Sequence, residues 1–226
     1  DWSSDVCSSD LGGKIRFNVA KFGAKVASQV SKFGFGSGNN LPGYVFYKIA
    51  GKEALKDLAH EMSIGPILIT GTNGKTTTTT LLIKLLSADT KIRKSFESNT
   101  IHAITTGILK GDGDLGVFEY GIRNNSYGIP DTVQRLIDPV GVVYTTISRE
   151  HSQVAGVKNP FEEYVGAKSL LSQGMTRGVV ISNADDPVTA NIACNKRNDL
   201  HVNFYGLAID SINDIFESDS PNCQRS

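Results

Sequence analysis

At 226 residues and 39% hydrophobic side chains, the chain is long enough for one large packed domain with an appendage, in the ordinary composition range of soluble globular proteins. Lys plus Arg equals Asp plus Glu at 23 each, so whole-chain charge says nothing about nucleic acid and its distribution matters more; no nucleic-acid partner is expected, and no apolar run approaches the roughly 20 residues that cross a bilayer. Cys7, Cys194 and Cys223 lie far apart without a Cys-x-x-Cys pair, so neither a disulfide framework nor a complete zinc site can be read from them, and a cytoplasmic setting is expected.

Residues 1–11 are polar and Ser-rich and stop abruptly where a basic pattern begins; they read as a translated adapter outside the native fold. A basic leader, 12–60, follows. From Leu11 to His60 eight Lys or Arg stand against two acidic residues, a local net of +6. Ile15, Val19, Phe22, Val26, Val30 and Phe33 recur at helical spacing, with Lys14, Lys21, Lys25 and Lys32 mostly off that face. Two readings of this amphipathic helix stand: packing on its own domain with solvated lysines, or contact with an anionic membrane surface. The density of Gly, Asn and Pro between Gly34 and Gly43 predicts an extended loop, and a short helix is expected over about Gly51 to Glu61.

The main domain, 61–216, alternates strand-like and helical runs. Strands are predicted at Ile67–Thr70, Leu115–Tyr120, Val140–Thr146, Gly178–Ser182 and His201–Tyr205. Helices are predicted near Lys75–Ser87, His102–Leu109, Pro130–Ile137, Pro160–Gln173 and Pro187–Asn195. That order predicts an α/β fold: a P-loop-type, doubly wound, mostly parallel sheet with helices on both faces and ligands at the carboxyl ends of its strands. The tail, 217–226, shows no apolar periodicity and reads as truncated.

Gly71, Thr72, Asn73, Gly74, Lys75, Thr76 and Thr77 follow the first main-domain strand and open a helix. Glycines let backbone N–H groups converge on phosphate oxygens, Lys75 neutralises their charge, and the Thr76 hydroxyl suits Mg²⁺. The general P-loop spacing would put a glycine at Ile69, so this is a shortened form. A plain Gly-rich helix cap is the alternative. Glu119 and His151 end strands that should open onto the same crevice and could grip a cation, or could face solvent. Asn183 to Pro187 reads as an N-cap with Pro in the first turn, or as a nucleotide contact.

In this order the segments Gly71 to Thr76, Glu119, Glu150 with His151, Ala167 with Lys168, and Asn183 to Pro187 resemble the central ATPase domain of the Mur ligase family over about Pro66 to Gly206. The resemblance implies ATP and Mg²⁺ as cofactors, Lys75 on the γ-phosphate, Thr76 on one Mg²⁺, and Glu119 and His151 on a second. It further implies a carbamoylated Lys168 near the metals, Asn183 toward the adenine, and Ser98, Asn99 and Thr100 at the acceptor end. The chain departs from the pattern at Glu150 and Gln153, where the family has Asp, and at Thr146, where it has Asn, which bears on the substrate side. The leader resembles that of MurT-like and pseudomurein peptide ligases. The implied reaction is ATP-dependent amide formation on a cell-wall peptide precursor, lipid-linked or not, through an acyl phosphate, with an amino acid or ammonia as acceptor and a glutaminase subunit as one source of ammonia. The family's C-terminal domain is not found within the sequence, so nucleotide binding without turnover is expected. A folylpolyglutamate- or cyanophycin-synthetase-like ligase and a P-loop ATPase switch are the rival readings.

Overall fold

The computed structural model describes residues 3–32, 40–150, 152, 158–195 and 200–207, and of 3–11, 32 and 127 the backbone alone. Phe33, Gly34, Gly36, Gly38, Asn39, His151, Gln153 and the 217–226 tail lie outside the described residues. A six-stranded sheet, β1 (Gly65–Thr70), β2 (Ile92–Ser98), β3 (Leu115–Tyr120), β4 (Gly141–Tyr144), β5 (Val179–Asn183) and β6 (His201–Tyr205), has the order β2-β3-β1-β4-β5-β6. All five pairings are parallel. The helices in chain order are α1 (Ser3–Lys32), α2 (Leu41–Ala50), α3 (Ala54–Ala59), α4 (Lys75–Leu86), α5 (Ile101–Lys110), α6 (Asn125–Gly128), α7 (Pro130–Ile137), α8 (Pro160–Gln173) and α9 (Pro187–Cys194).

Strand alternation splits the core between the two sheet faces. Leu68, Phe118, Tyr120, Val142, Tyr144 and Val180 pack with α2, α3, α5, α7, α8 and α9 on one side. Ile69, Leu115, Val117 and Val143 pack under Ile83, Leu82 and Leu86 of α4 on the other. The winding explains this division: β1 steps past β3 to β2, whereas every later crossover steps in the opposite direction along the sheet. With right-handed crossovers, opposite steps put the connecting helices on opposite faces. The loops after β1 and β4, neighbouring strands, therefore leave to opposite faces and open a crevice between them.

Four features differ from the sequence expectation. Strand β2 lies at the sheet edge, where Ile-Arg-Lys-Ser-Phe-Glu-Ser shows no apolar run. Its Arg93 is buried all the same, donating to the carbonyls of Ile108 (2.9 Å) and Gly113 (2.8 Å). Leu41, Pro42 and Gly43 open helix α2 instead of extending a loop, because Pro is compatible with a first turn and Gly43 permits close helix crossing. Its N–H donates to Thr106 Oγ1 at 2.9 Å, and a Cβ there would meet the His102 carbonyl at 2.0 Å.

The third concerns α1. Its seam against the domain is made by Ala20, Ala24 and Ala27, with Phe17 edge-on to Phe46, while Ile15, Val19, Phe22, Val26 and Val30 are 42–69% exposed. Small side chains let the helices approach closely, so the alanine face packs and the bulkier face stays outside. The helical backbone also runs on through 3–11. Cys194 at the end of α9 is disulfide-bonded, which the cysteine spacing did not indicate.

Candidate functional site

The loop between β1 and α4 is anchored from β4. Gly71 sits at φ +151, and a Cβ on it would come within 2.0 Å of Thr145 Oγ1. Gly74 adopts the left-handed conformation (φ +85) immediately before α4. Thr145 Oγ1 donates to the Asn73 carbonyl (2.6 Å), the Thr72 N–H to the Thr146 carbonyl, and Asn73 bridges Thr146 in antiparallel fashion. The Thr72 hydroxyl accepts from the Ser148 N–H (3.0 Å) and pairs with the Tyr164 hydroxyl of α8 (3.0 Å). Each turn of the loop thus has a fixed partner before any ligand arrives.

A cleft of about 300 Å³ opens beside this loop, lined by Gly71, Thr72, Lys75, Thr76, Glu97, Asn99, Glu119, Gly121, Ile122, Arg123, Tyr164 and Lys168. The Thr76 hydroxyl donates to Glu119 Oε2 at 2.8 Å, joining the first turn of α4 to the end of β3. Glu119 is buried; Lys75 is half-buried with Nζ on the Thr72 carbonyl (2.7 Å). Burial lowers the Lys75 pKa and the Glu119 charge partly offsets this. Lys168 is fully buried, donating to the carbonyls of Gly71 (3.1 Å) and Ile122 (2.9 Å), with its ammonium 4.4 Å from the Tyr164 ring centroid. Burial, reinforced by the Lys75 charge, pushes its pKa down to about 7.

The cleft unites Gly71, Thr72, Lys75, Thr76, Asn99, Glu119 and Lys168 of the sequence-predicted residues. Gly74 and Asn73 shape the loop behind it, with Asn73 Nδ2 donating to Glu150 Oε2 (3.1 Å). Thr77 lies instead on the outer side of α4, in a shallow depression with Thr80 and Leu81. Ser98 turns away, its hydroxyl donating to Ser95 Oγ at 2.8 Å, and Thr100 caps α5 by accepting from the Ala103 N–H (3.2 Å) and donating to Asn40 Oδ1 (2.8 Å). Asn183, at the end of β5, donates to Thr146 Oγ1 (3.3 Å) and accepts from the Asp185 N–H (3.0 Å). Asp186 is the N-cap of α9 and accepts from the Ile147 N–H (2.6 Å), tying that helix to the loop after β4. His151 belongs to the residues outside the description.

Sequence reasoning missed Glu97, Arg123 and Tyr164. Glu97 holds a left-handed backbone (φ 52) at the end of the unrecognised β2, the kind of strained non-glycine position found at functional sites. Tyr164 stands four residues before Lys168 on α8, so helical spacing alone would have put both on one face.

The residues fit a Mg²⁺-nucleotide: a glycine cradle too tight for a Cβ, a cation over the loop, the open N-terminus of α4, and two hard oxygen donors on Thr76 and Glu119. Residues 69–222 match the Mur ligase middle domain. The chain belongs to the Mur ligase family. It is similar to UDP-N-acetylmuramoyl-tripeptide–D-alanyl-D-alanine ligase of Bacillus subtilis, 29% identical over 146 residues that are 61% of this chain and 31% of the relative. It is also similar to UDP-N-acetylmuramoylalanine–D-glutamate ligase of Geobacillus kaustophilus, 32% identical over 143 residues, 62% of this chain and 30% of the relative. The chain thus spans about a third of the length of these curated relatives. Among solved structures, MurF of Acinetobacter baumannii superposes with a TM-score of 0.55 at 18% identity, over 74% of this chain and 34% of the other. MurF of Thermotoga maritima in complex with ADP gives 0.51 at 18% identity, over 69% and 36%. These structural likenesses establish the shared α/β fold of this Mur ligase middle domain.

Proposed function

We propose that this chain is the nucleotide-binding core of an ATP-dependent ligase that forms an amide bond on a cell-wall peptide precursor. The observation that carries this reading is the 2.8 Å pairing of Thr76 with Glu119, in one cleft with Lys75 and Lys168 at the carboxyl ends of β1 and β3. In the proposed reaction a precursor carboxylate takes the terminal phosphoryl group, and an amine or ammonia then displaces phosphate from the acyl phosphate. The loop N–H groups and Lys75 orient the phosphates and offset charge spreading over the transferred group, which is most of what phosphoryl transfer asks of a protein. Bound Mg²⁺ would neutralise phosphate charge, with Thr76 and Glu119 as its holders.

Asn99 and Arg123 border the cleft on the side of the β2 and β3 ends, which suits a carboxylate-bearing acceptor. A Lys168 pKa near 7 leaves much of that side chain as the free amine at neutral pH, the form that combines with CO₂ to give a carbamate and a proton.

Titration of a fluorescent ATP analogue with and without Mg²⁺ tests the proposal. Lys75→Ala should weaken binding by about tenfold or more, roughly 1.4 kcal/mol, and Glu119→Gln should abolish the Mg²⁺ dependence. Unchanged affinity in Lys75→Ala refutes the phosphate assignment. Phosphate release that ignores both precursor and amine favours an ATPase switch over a ligase.

A further inference from the structure

The exposed face of α1 remains unused by the nucleotide site. Its bulky apolar residues, Ile15, Val19, Phe22, Val26 and Val30, form one stripe, all of them 42–69% exposed, because the alanine seam holds the helix to the domain from the other side. At 3.6 residues per turn, Lys14, Lys21 and Lys25 fall on the arc beside that stripe. From Leu11 to Lys32 the helix has five Lys or Arg and no Asp or Glu. The basic flank borders a groove of about 780 Å³ between α1, α2 and α5, lined among others by Lys21, Phe22, Lys25, Pro42, Leu109 and Lys110. Glu61 pairs with Lys21 at 2.6 Å and also reaches Arg93, while Lys14 and Lys25 are exposed.

We propose that α1 is an interfacial anchor that lies in the surface of an anionic lipid bilayer, its Phe22–Val26 stripe among the acyl chains and its lysine flank against the lipid phosphates. Two features point to this occupant over a protein partner. From Leu11 to Lys32 every charge on the helix is basic, and with Lys21 paired to Glu61 the exposed Lys14 and Lys25 complement an anionic leaflet. The stripe is continuous over four helical turns and flanked lengthwise by bases, the pattern of a helix lying in an interface. The helix lies on the bilayer and does not span it, since no helix among the described residues is long and apolar enough to cross a membrane.

Vesicle flotation of the 226-residue chain tests the anchor independently of nucleotide chemistry. Vesicles of phosphatidylcholine containing about a third phosphatidylglycerol should carry the protein, and pure phosphatidylcholine should carry far less. Phe22→Asp with Val26→Asp should lower partitioning by about tenfold or more. Lys14→Gln and Lys25→Gln should each lower it about fivefold at low salt, an effect that high salt removes. All four positions are exposed, so nucleotide binding and the circular dichroism spectrum should stay unchanged and report intact folding. Equal binding to neutral and anionic vesicles, or no effect of Phe22→Asp, overturns the proposal. A wild-type dimer in sedimentation that Phe22→Asp dissociates assigns the face to a second copy and also overturns it.

Discussion

Replacing Lys168 by Met should make the domain more stable near neutral pH, with a benefit that fades as the pH rises. Lys168 is wholly enclosed, and its pKa falls from 10.5 to about 7. At about 1.36 kcal/mol per unit, the charged form is disfavoured in the fold by roughly 5 kcal/mol, an upper bound because it takes the unfolded chain as fully solvated. A depressed lysine pKa means that between about pH 7 and pH 10 the unfolded state binds more protons, so wild-type stability rises with pH through that window. Below pH 7 both states are protonated and the full penalty stands. Met removes the charge at the cost of the hydrogen bonds to the Gly71 and Ile122 carbonyls, about 1 to 3 kcal/mol. Urea unfolding of both proteins in CO₂-free buffer should therefore show a stability difference in favour of Lys168→Met at pH 7 that shrinks by up to about 1.4 kcal/mol per pH unit toward pH 10. Tyr144 is the other strongly displaced group, raised by burial beyond this window, and it is common to both proteins. A difference that stays constant with pH would show that the fold does not disfavour the Lys168 ammonium.

Gly71→Ala should lower stability by about 1 to 3 kcal/mol and nucleotide affinity by about tenfold or more, because its Cβ would collide with Thr145 Oγ1 and push the loop off its β4 anchor; calorimetric titration and thermal melting read the two effects. Thr100→Ala should cost about 1 kcal/mol in urea by uncapping α5 and freeing Asn40, while nucleotide affinity stays unchanged; a loss of affinity would give Thr100 a place in the cleft.

What could be read from the sequence divides along physical lines. The central strands β1, β3 and β4 are covered on both faces, so their apolar runs announced them, and β3 came out with its observed bounds. The edge strand β2 has only part of that burial and offered no such run; missing it hid Glu97 at its end. Pro42 and Gly43 suggested a break because breaker residues are ambiguous without context: one starts helix α2 and the other lets it touch α5. The amphipathic period of α1 was real, but period alone does not say which side packs, and the alanines won the interior. In the site, Gly71 to Thr76 and Glu119 were legible because phosphate chemistry restricts residue type. Ser98 and Thr100 were not, since hydroxyl side chains cap helices as readily as they meet substrates.

The opposite departures of the chain after β1 and β4 also separate two tasks within one opening. The phosphate loop is held by contacts to the residues just after β4, whereas Glu97 at the end of β2 and Asn99 and Arg123 just past β2 and β3 line the other side of the cleft. On the proposed reading, exchanging Asn99 and Arg123 while keeping Glu119 at the tip of β3 would retune the acceptor side and leave the Thr76–Glu119 pair in place.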